Sequence, residues 1–364
     1  MKKLLAILAL AALSMPSVVL AEASWYGSLR AGVESSDGNI GVVDGNSRWG
    51  IKGSSEAGEG LIAVYRFEHK IDTATASQSD GGRLSYVGLS GGFGTVTVGQ
   101  IWSASYNSVG VITDNSRFYG DSLTTLRHGN AVSYAFSNDL MALQVDAVYD
   151  ERGLHDNPRF EDNPNEDLEK VELGLSINVG GIGKVAFAHV DNKYSVLNLQ
   201  KARGSIFSVA DSFRRIKTAT LAAELSVSGL TAYVGSQTTN NICTELIPTT
   251  VSDQANLPDL VTCSQNGDPE VTNYKDTATF FGIRGEFGDT GIDYVLQWID
   301  RKWREIEFVD TGGAFNPIAI MHNNQPWILG LGRNLGGGAS LSLEHANHDG
   351  VKPNQTRVSL QVDF

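Results

Sequence analysis

The sequence predicts an all-β fold, a 16-stranded antiparallel transmembrane barrel. Three observations carry this prediction: segments of about ten residues alternate between apolar and polar positions, glycine-rich turns punctuate them, and short connections alternate with long ones. Forty glycines and nine prolines in 364 residues suit such a turn-rich sheet protein better than a helical one.

The first element is not a strand. Lys2 and Lys3 precede the apolar run Leu4 to Leu13, and Val19-Leu20-Ala21 resembles a cleavage site, so residues 1–21 read as a secretory leader that is removed. The run is far shorter than the roughly 20 apolar residues a spanning helix needs. Residues 22–364 are then expected to form a single barrel domain. Two of the 28 basic side chains leave with the leader, which takes the formal charge from −13 to −15 and argues against nucleic acid as a partner.

In "KVELGLSINV", Val171, Leu173, Leu175, Ile177 and Val179 share one face, and Lys170, Glu172, Gly174, Ser176 and Asn178 share the other. "MALQVDAVYD" (141–150) and the terminal "RVSLQVDF" follow the same rule. Seven short connections recur at 57–60, 90–94, 137–139, 180–183, 227–230, 287–291 and 334–338. Eight longer, polar ones fall at 37–46, 72–82, 103–126, 150–167, 195–215, 238–275, 309–325 and 348–354. Together they join sixteen strands and leave both termini on the short-turn side. A soluble sandwich alternates too, but has no reason to gather every long loop at one end. Barrels of the outer-membrane type have short periplasmic turns, long external loops, a lipid-facing apolar band and a polar lumen. Sixteen strands leave an aqueous channel instead of a filled core. Tyr26, Trp49, Tyr134, Tyr149, Trp298, Trp327 and Phe364 are expected at the interfacial girdles.

The only cysteines, Cys243 and Cys263, lie in one polar segment of an exported chain, and a disulfide between them is expected, a metal pair being the weaker alternative. "YVGLSGGFGTVTV" contains Gly88-Leu89-Ser90-Gly91-Gly92, a G-x-S-x-G pattern. A nucleophile elbow leads from a strand into a helix, whereas another alternating segment follows here, so Ser90 to Gly94 read as a hairpin turn. The seven histidines (69, 128, 155, 189, 322, 345 and 348) are scattered, and His345 and His348 fall on opposite faces of a strand. Enzymatic activity, a metal site and a cofactor are therefore not expected.

"SRWGIKGSSEAGEGLIAVYRFE", "RLSYVGLSGGFGTVTVGQ" and the ending "TRVSLQVDF" resemble the trimeric general-diffusion porins of Gram-negative outer membranes, especially the neisserial type. The resemblance spans essentially the whole chain after the leader. It implies an outer-membrane homotrimer, in contact with lipid and lipopolysaccharide, that passes small polar solutes and ions. It implies that Phe364 belongs to the signal read by the barrel-assembly machinery. It also implies that the third long loop, about 103–126, folds into the barrel and narrows it, with Asp114 and Asp121 as the acids facing the opening.

Strand parity then places the charges, since a basic side chain on the lipid face at mid-membrane costs about 2 to 4 kcal/mol. Trp49 and Ile51 outward turn Arg48 and Lys52 inward; Tyr65 and Phe67 outward do so for Arg66 and Glu68; Leu29 and Val33 outward do so for Arg30 and Glu34. Arg83 is expected inward from Leu84 and Tyr86 outward, and Arg127 from Val132, Tyr134 and Phe136 outward. Arg30, Arg48, Lys52, Arg66, Arg83 and Arg127 would form a basic wall facing the acidic loop. The rival readings are a channel specific for a sugar, phosphate or organic acid, and an adhesin or phage receptor built on the external loops.

Overall fold

The computed structural model describes residues 22–75, 82–116, 124–149, 168–198, 210–248, 273–310, 315–349 and 353–364. Eighteen strand segments form one antiparallel sheet: β1 Glu22–Ser36, β2 Asn39–Asp44, β3 Arg48–Gly58, β4 Leu61–Lys70, β5 Gly82–Gly91, β6 Gly94–Trp102, β7 Arg127–Ser137, β8 Met141–Tyr149, β9 Leu168–Val179, β10 Gly183–Asn198, β11 Ala210–Val227, β12 Leu230–Pro248, β13 Asn273–Glu286, β14 Ile292–Asp310, β15 Phe315–Asn324, β16 Trp327–Gly336, β17 Ala339–Asn347 and β18 Gln355–Asp363. Sixteen wall strands result. β2 and β3 both pair with β1 and are one strand interrupted at Gly45–Ser47. β15 and β16 both pair with β14 and are one strand interrupted at Gln325–Pro326, where proline has no N–H to give to the ladder.

Each strand pairs with its sequence neighbour, and β18 returns to β1 with Val33 opposite Val358. Closure leaves no sheet edge. The seam is finished by reciprocal bonds: Gly27 N–H donates to the Phe364 carbonyl at 2.9 Å, and Phe364 N–H donates to the Gly27 carbonyl at 3.1 Å. The Phe364 ring lies where a Cβ on Gly27 would be, so a larger residue there would displace the ring.

The seven expected tight connections are all present. That between β11 and β12 is Ser228-Gly229, both residues with positive φ, as a two-residue hairpin turn that matches the strand twist demands. Several long connections are shorter than expected because the ladder continues into them. The segment 37–46 is a hairpin turning at Asp37-Gly38, and β11, β12 and β14 run for 18 to 19 residues. Strands this long extend past the hydrocarbon layer, which a tilted strand crosses in about 9 to 11 residues.

Outward positions carry the apolar band, for example Leu221, Leu225, Val234 and Phe281, each about half exposed. Trp25, Trp49 and Phe67 form an aromatic chain on this surface, with ring centroids 5.6 and 6.2 Å apart. Tyr26, expected in the girdle, instead points inward to Glu68. The expected Cys243–Cys263 disulfide is a correction: no disulfide is found among the described residues. Cys243 belongs to the ladder of β12, opposite Arg214 on β11, and not to a loose loop. Cys263 lies outside the described residues.

The buried core is inside the barrel, where the chain after β6 packs on the wall. Its helical stretch, Tyr106–Gly110 continued by Val111–Thr113, buries Val109 and Ile112 against Ala186, Ala188, Ala222, Phe280 and Ile299. Small inward side chains on β10 and β11 make the room. Each buried apolar side chain of the stretch contributes about 1.5 to 3 kcal/mol to holding it there.

Candidate functional site

The in-folded segment is fastened at its root by buried carboxylates. Ala104 N–H donates to Asp146 Oδ2 at 2.6 Å, and Ser105 donates to Glu172 Oε2 through its N–H at 3.3 Å and its hydroxyl at 2.8 Å. Ser103 N–H donates to the Leu126 carbonyl at 3.0 Å, and its hydroxyl bonds the Thr125 carbonyl, which clamps the two ends of the excursion together. A Cβ on Gly174 would collide with the Ala104 carbonyl oxygen, so the close approach of loop to wall depends on that glycine. At the far end Arg284 bonds the Asn115 side chain and pairs with Glu224 at 2.7 Å. The segment is thus held at both its ends along the wall formed by β8 to β13.

Beside it opens a cavity of about 890 Å³ lined by Arg30, Arg48, Arg83 and Arg127, with Tyr106 and Asp114 from the loop. The structure therefore brings four of the six expected wall cations together with one expected loop acid. Lys52 and Arg66 line a second cavity of about 650 Å³ with Glu22 and Tyr86. Both cations sit over the Tyr26 ring, at 5.4 and 5.0 Å from its centre. Asp121 lies outside the described residues.

Glu68 organises the wall. It is 1 % exposed and accepts from Arg83 Nε at 2.5 Å, Arg66 Nη2 at 3.0 Å and Tyr26 hydroxyl at 2.9 Å, with Arg48 Nε 3.9 Å away. One buried anion thereby holds three like-charged guanidiniums side by side. Its inward parity is readable from β4, but its role as common partner emerges only once β3, β4 and β5 are paired. Asp293 and Asp363 also line the larger cavity and were not foreseen. Both follow inward parity on their strands, which would have found them.

Arg83 reaches the lumen by a different route from the expected one. Leu84, opposite Glu68, and Tyr86, opposite Arg66, face inward, and Leu84 is fully buried. The ladder passes from the Glu68–Leu84 pair to His69–Gly82, leaving Arg83 as the extra residue of a β-bulge. A bulge puts two successive side chains on one side of the sheet, so Arg83 joins Leu84 inside. A second bulge at Gly129–Asn130, with Asn130 at φ 47°, resets β7 and turns His128 inward. Arg127 follows at the strand end, with its guanidinium 5.1 Å from the centre of the Trp102 ring, which in turn stacks on Tyr106 at 4.7 Å.

Tyr106 donates its hydroxyl to Asp114 Oδ2 at 3.2 Å. Burial, aided by the neighbouring Asp114 carboxylate, pushes that phenol up to about 12, so it remains a neutral donor. Ser90 is the penultimate residue of β5 and bonds the Thr95 hydroxyl at 2.9 Å across the hairpin; the turn itself is only Gly92-Phe93. The serine has a structural partner and sits on a strand-to-strand connection.

The sequence model of the family described as Gram-negative porin matches residues 6–353. The major outer membrane protein P.IB of Neisseria meningitidis is 39% identical over 114 residues, 28% of this chain and 34% of that protein. P.IB of Neisseria gonorrhoeae is 36% identical over 121 residues, 30% of this chain and 34% of that protein. The aligned part thus spans about a third of these relatives' length. Among solved structures, a loop L8 deletion mutant of OmpT from Vibrio cholerae superposes with a TM-score of 0.67 at 13% identity, covering 94% of this chain and 99% of that one. The anion-selective porin from Comamonas acidovorans gives 0.61 at 15% identity, covering 95% and 100%. At those identities the likeness is one of fold. The closed 16-stranded barrel, its in-folded loop and the family match over most of the sequence give one conclusion: the chain belongs to the Gram-negative porin family.

Proposed function

We propose that this chain forms a water-filled channel in the bacterial outer membrane for passive diffusion of small hydrophilic solutes and ions, without catalysing a reaction. The observation that carries the reading is the larger cavity, where arginines of the wall and Asp114 of the loop face a common opening. Opposed charges there set a field across the path, which orients polar solutes and disfavours apolar ones. The four arginines are offset by Asp114, Asp293, Asp363 and the Glu68 behind them, so ion preference is weak.

Arg30, Arg48, Arg83 and Arg127 act as the constriction's basic side and Asp114 as its acidic one, with Lys52 and Arg66 lining an adjoining part of the path. Residues 1–21 act as the export leader, and Phe364 serves in recognition by the barrel-assembly machinery. The working unit is a homotrimer embedded among outer-membrane lipid and lipopolysaccharide. Planar-bilayer recording of the refolded protein tests these statements together. Conductance in triplet steps, with flux that is linear in solute and limited by solute size, is the expected result. A well-folded barrel that leaves bilayers silent would sink the channel reading, and saturable block by one sugar, phosphate or organic acid would replace it with a substrate-specific channel.

A further inference from the structure

Behind the root of the in-folded loop, three buried ionisable side chains from adjacent strands converge: His128 on β7, Asp146 on β8 and Glu172 on β9. Both carboxylates are 0% exposed and the imidazole is 4% exposed. One ligating atom from each lies within 4.8 Å of the other two. His128 Nε2 and Glu172 Oε1 approach to 2.7 Å as an ion pair, and neither atom makes a hydrogen bond elsewhere. The other oxygens are held in place: Glu172 Oε2 by Ser105, Asp146 Oδ2 by Ala104 N–H and Asp146 Oδ1 by the Gln144 amide at 2.9 Å.

We propose that His128, Asp146 and Glu172 bind a divalent transition-metal cation, zinc being the best match to the donors, and that this ion fastens the root of the loop to the barrel wall. Geometry is the first argument. His128 Nε2 and Glu172 Oε1 are buried, converge to 2.7 Å and make no hydrogen bond elsewhere, and a ligating oxygen of Asp146 lies within 4.8 Å of both. Donor chemistry is the second. An imidazole nitrogen with carboxylate oxygens suits zinc and its first-row neighbours, while magnesium and calcium prefer oxygen alone.

The surroundings resemble the outer shell that metal ligands require. Ser105 bonds Glu172 Oε2 and leaves Oε1 to ligate, while Ala104 and Gln144 orient the Asp146 carboxylate, each of whose oxygens keeps a second lone pair. Zinc held at about 2.0 to 2.2 Å keeps tetrahedral ligand atoms about 3.3 Å apart, a spacing between the 2.7 Å His128–Glu172 contact and the 4.8 Å within which all three ligating atoms lie. A fourth position is left to water. Sequence spacing gives no sign of this set, because a bulge in β7 turns His128 inward and the β8–β9 ladder sets Asp146 opposite Glu172, across 44 positions from His128 to Glu172. The inference stands apart from whether the channel conducts.

The test uses the refolded full chain, titrated with zinc against a chromophoric chelator. Wild type and His345→Ala should each bind one zinc per chain. His128→Ala and His128→Gln, checked for heat-resistant β structure, should bind at least about a hundredfold more weakly, since even outer-shell changes cost about 10- to 100-fold. X-ray absorption of zinc-loaded wild type needs no variant and should show one imidazole among otherwise oxygen ligands. Absence of stoichiometric binding, undiminished affinity in a folded His128 variant, or a ligand shell with no imidazole would each overturn the proposal.

Discussion

Glu68 shows what one side chain contributes. Arg48, Arg66 and Arg83 repel one another, and the buried carboxylate between them is the partner they share. Glu68→Gln keeps the shape and removes the charge. It should lower barrel stability by about 2 to 4 kcal/mol, toward the smaller figure because Arg48 and Arg66 remain about a quarter exposed to lumen water. Urea unfolding in detergent measures the loss; an unchanged midpoint would mean that water already compensates the guanidiniums. Tyr106 gives a pH signature at the same scale. Its phenol lies at about 12 in the fold against an ordinary value near 10, so the fold holds that proton more tightly than the unfolded chain does. Its contribution is fully present below pH 10 and is lost between about pH 10 and 12 as the pH rises. Ultraviolet titration should show one fewer tyrosinate forming near pH 12 in Tyr106→Phe than in wild type; identical curves would show that this hydroxyl is not among the late ones.

At the scale of elements, alternation made most of the wall legible, and its failures have local causes. Parity is read by counting in twos, so a single extra residue reverses it. The bulge at Arg83 left that side chain inside while reversing the expectation for Leu84 and Tyr86. Strand ends were misread for another reason: beyond the membrane both faces meet water, and the apolar signal stops although the ladder continues. Ile40, 75 % exposed in β2, lies in a segment that its polarity marked as loop. The loop's docking was legible only as glycine and alanine on an inward face. Gly174 is the sharpest case, because its missing side chain admits the Ala104 carbonyl. Gly174→Val should therefore lift the root of the loop without opening the barrel. Single-channel records are expected to show larger, noisier currents while heat-modifiable mobility on gels stays native, and quiet wild-type currents would refute the close-approach argument.

For the whole molecule the decisive quantity is a sum of charges and not any one of them. The acidic balance of the sequence, −13 overall, predicts nothing about the channel's ion preference, because charges on external loops are screened within about 8 to 10 Å and the path is set by side chains that the closed barrel gathers. Around the larger cavity, four arginines stand against Asp114, Asp293 and Asp363, with Glu68 behind the wall completing the balance. The partners come from β1, β3, β4, β5, β7, the in-folded loop, β14 and the end of β18, so no local stretch of sequence contains the sum. Asp114→Asn changes that sum by one unit at the narrow side while leaving a donor and acceptor beside Tyr106. A potassium chloride gradient across a planar bilayer should then give a reversal potential displaced toward the chloride limit, with the wild type near zero. The displacement should shrink as salt is raised from 0.1 to 1 M, since the screening length falls from about 10 to about 3 Å. A reversal potential that does not move would place Asp114 outside the ion path, and one that moves equally at all salt concentrations would mean that the substitution reshaped the opening instead of its field.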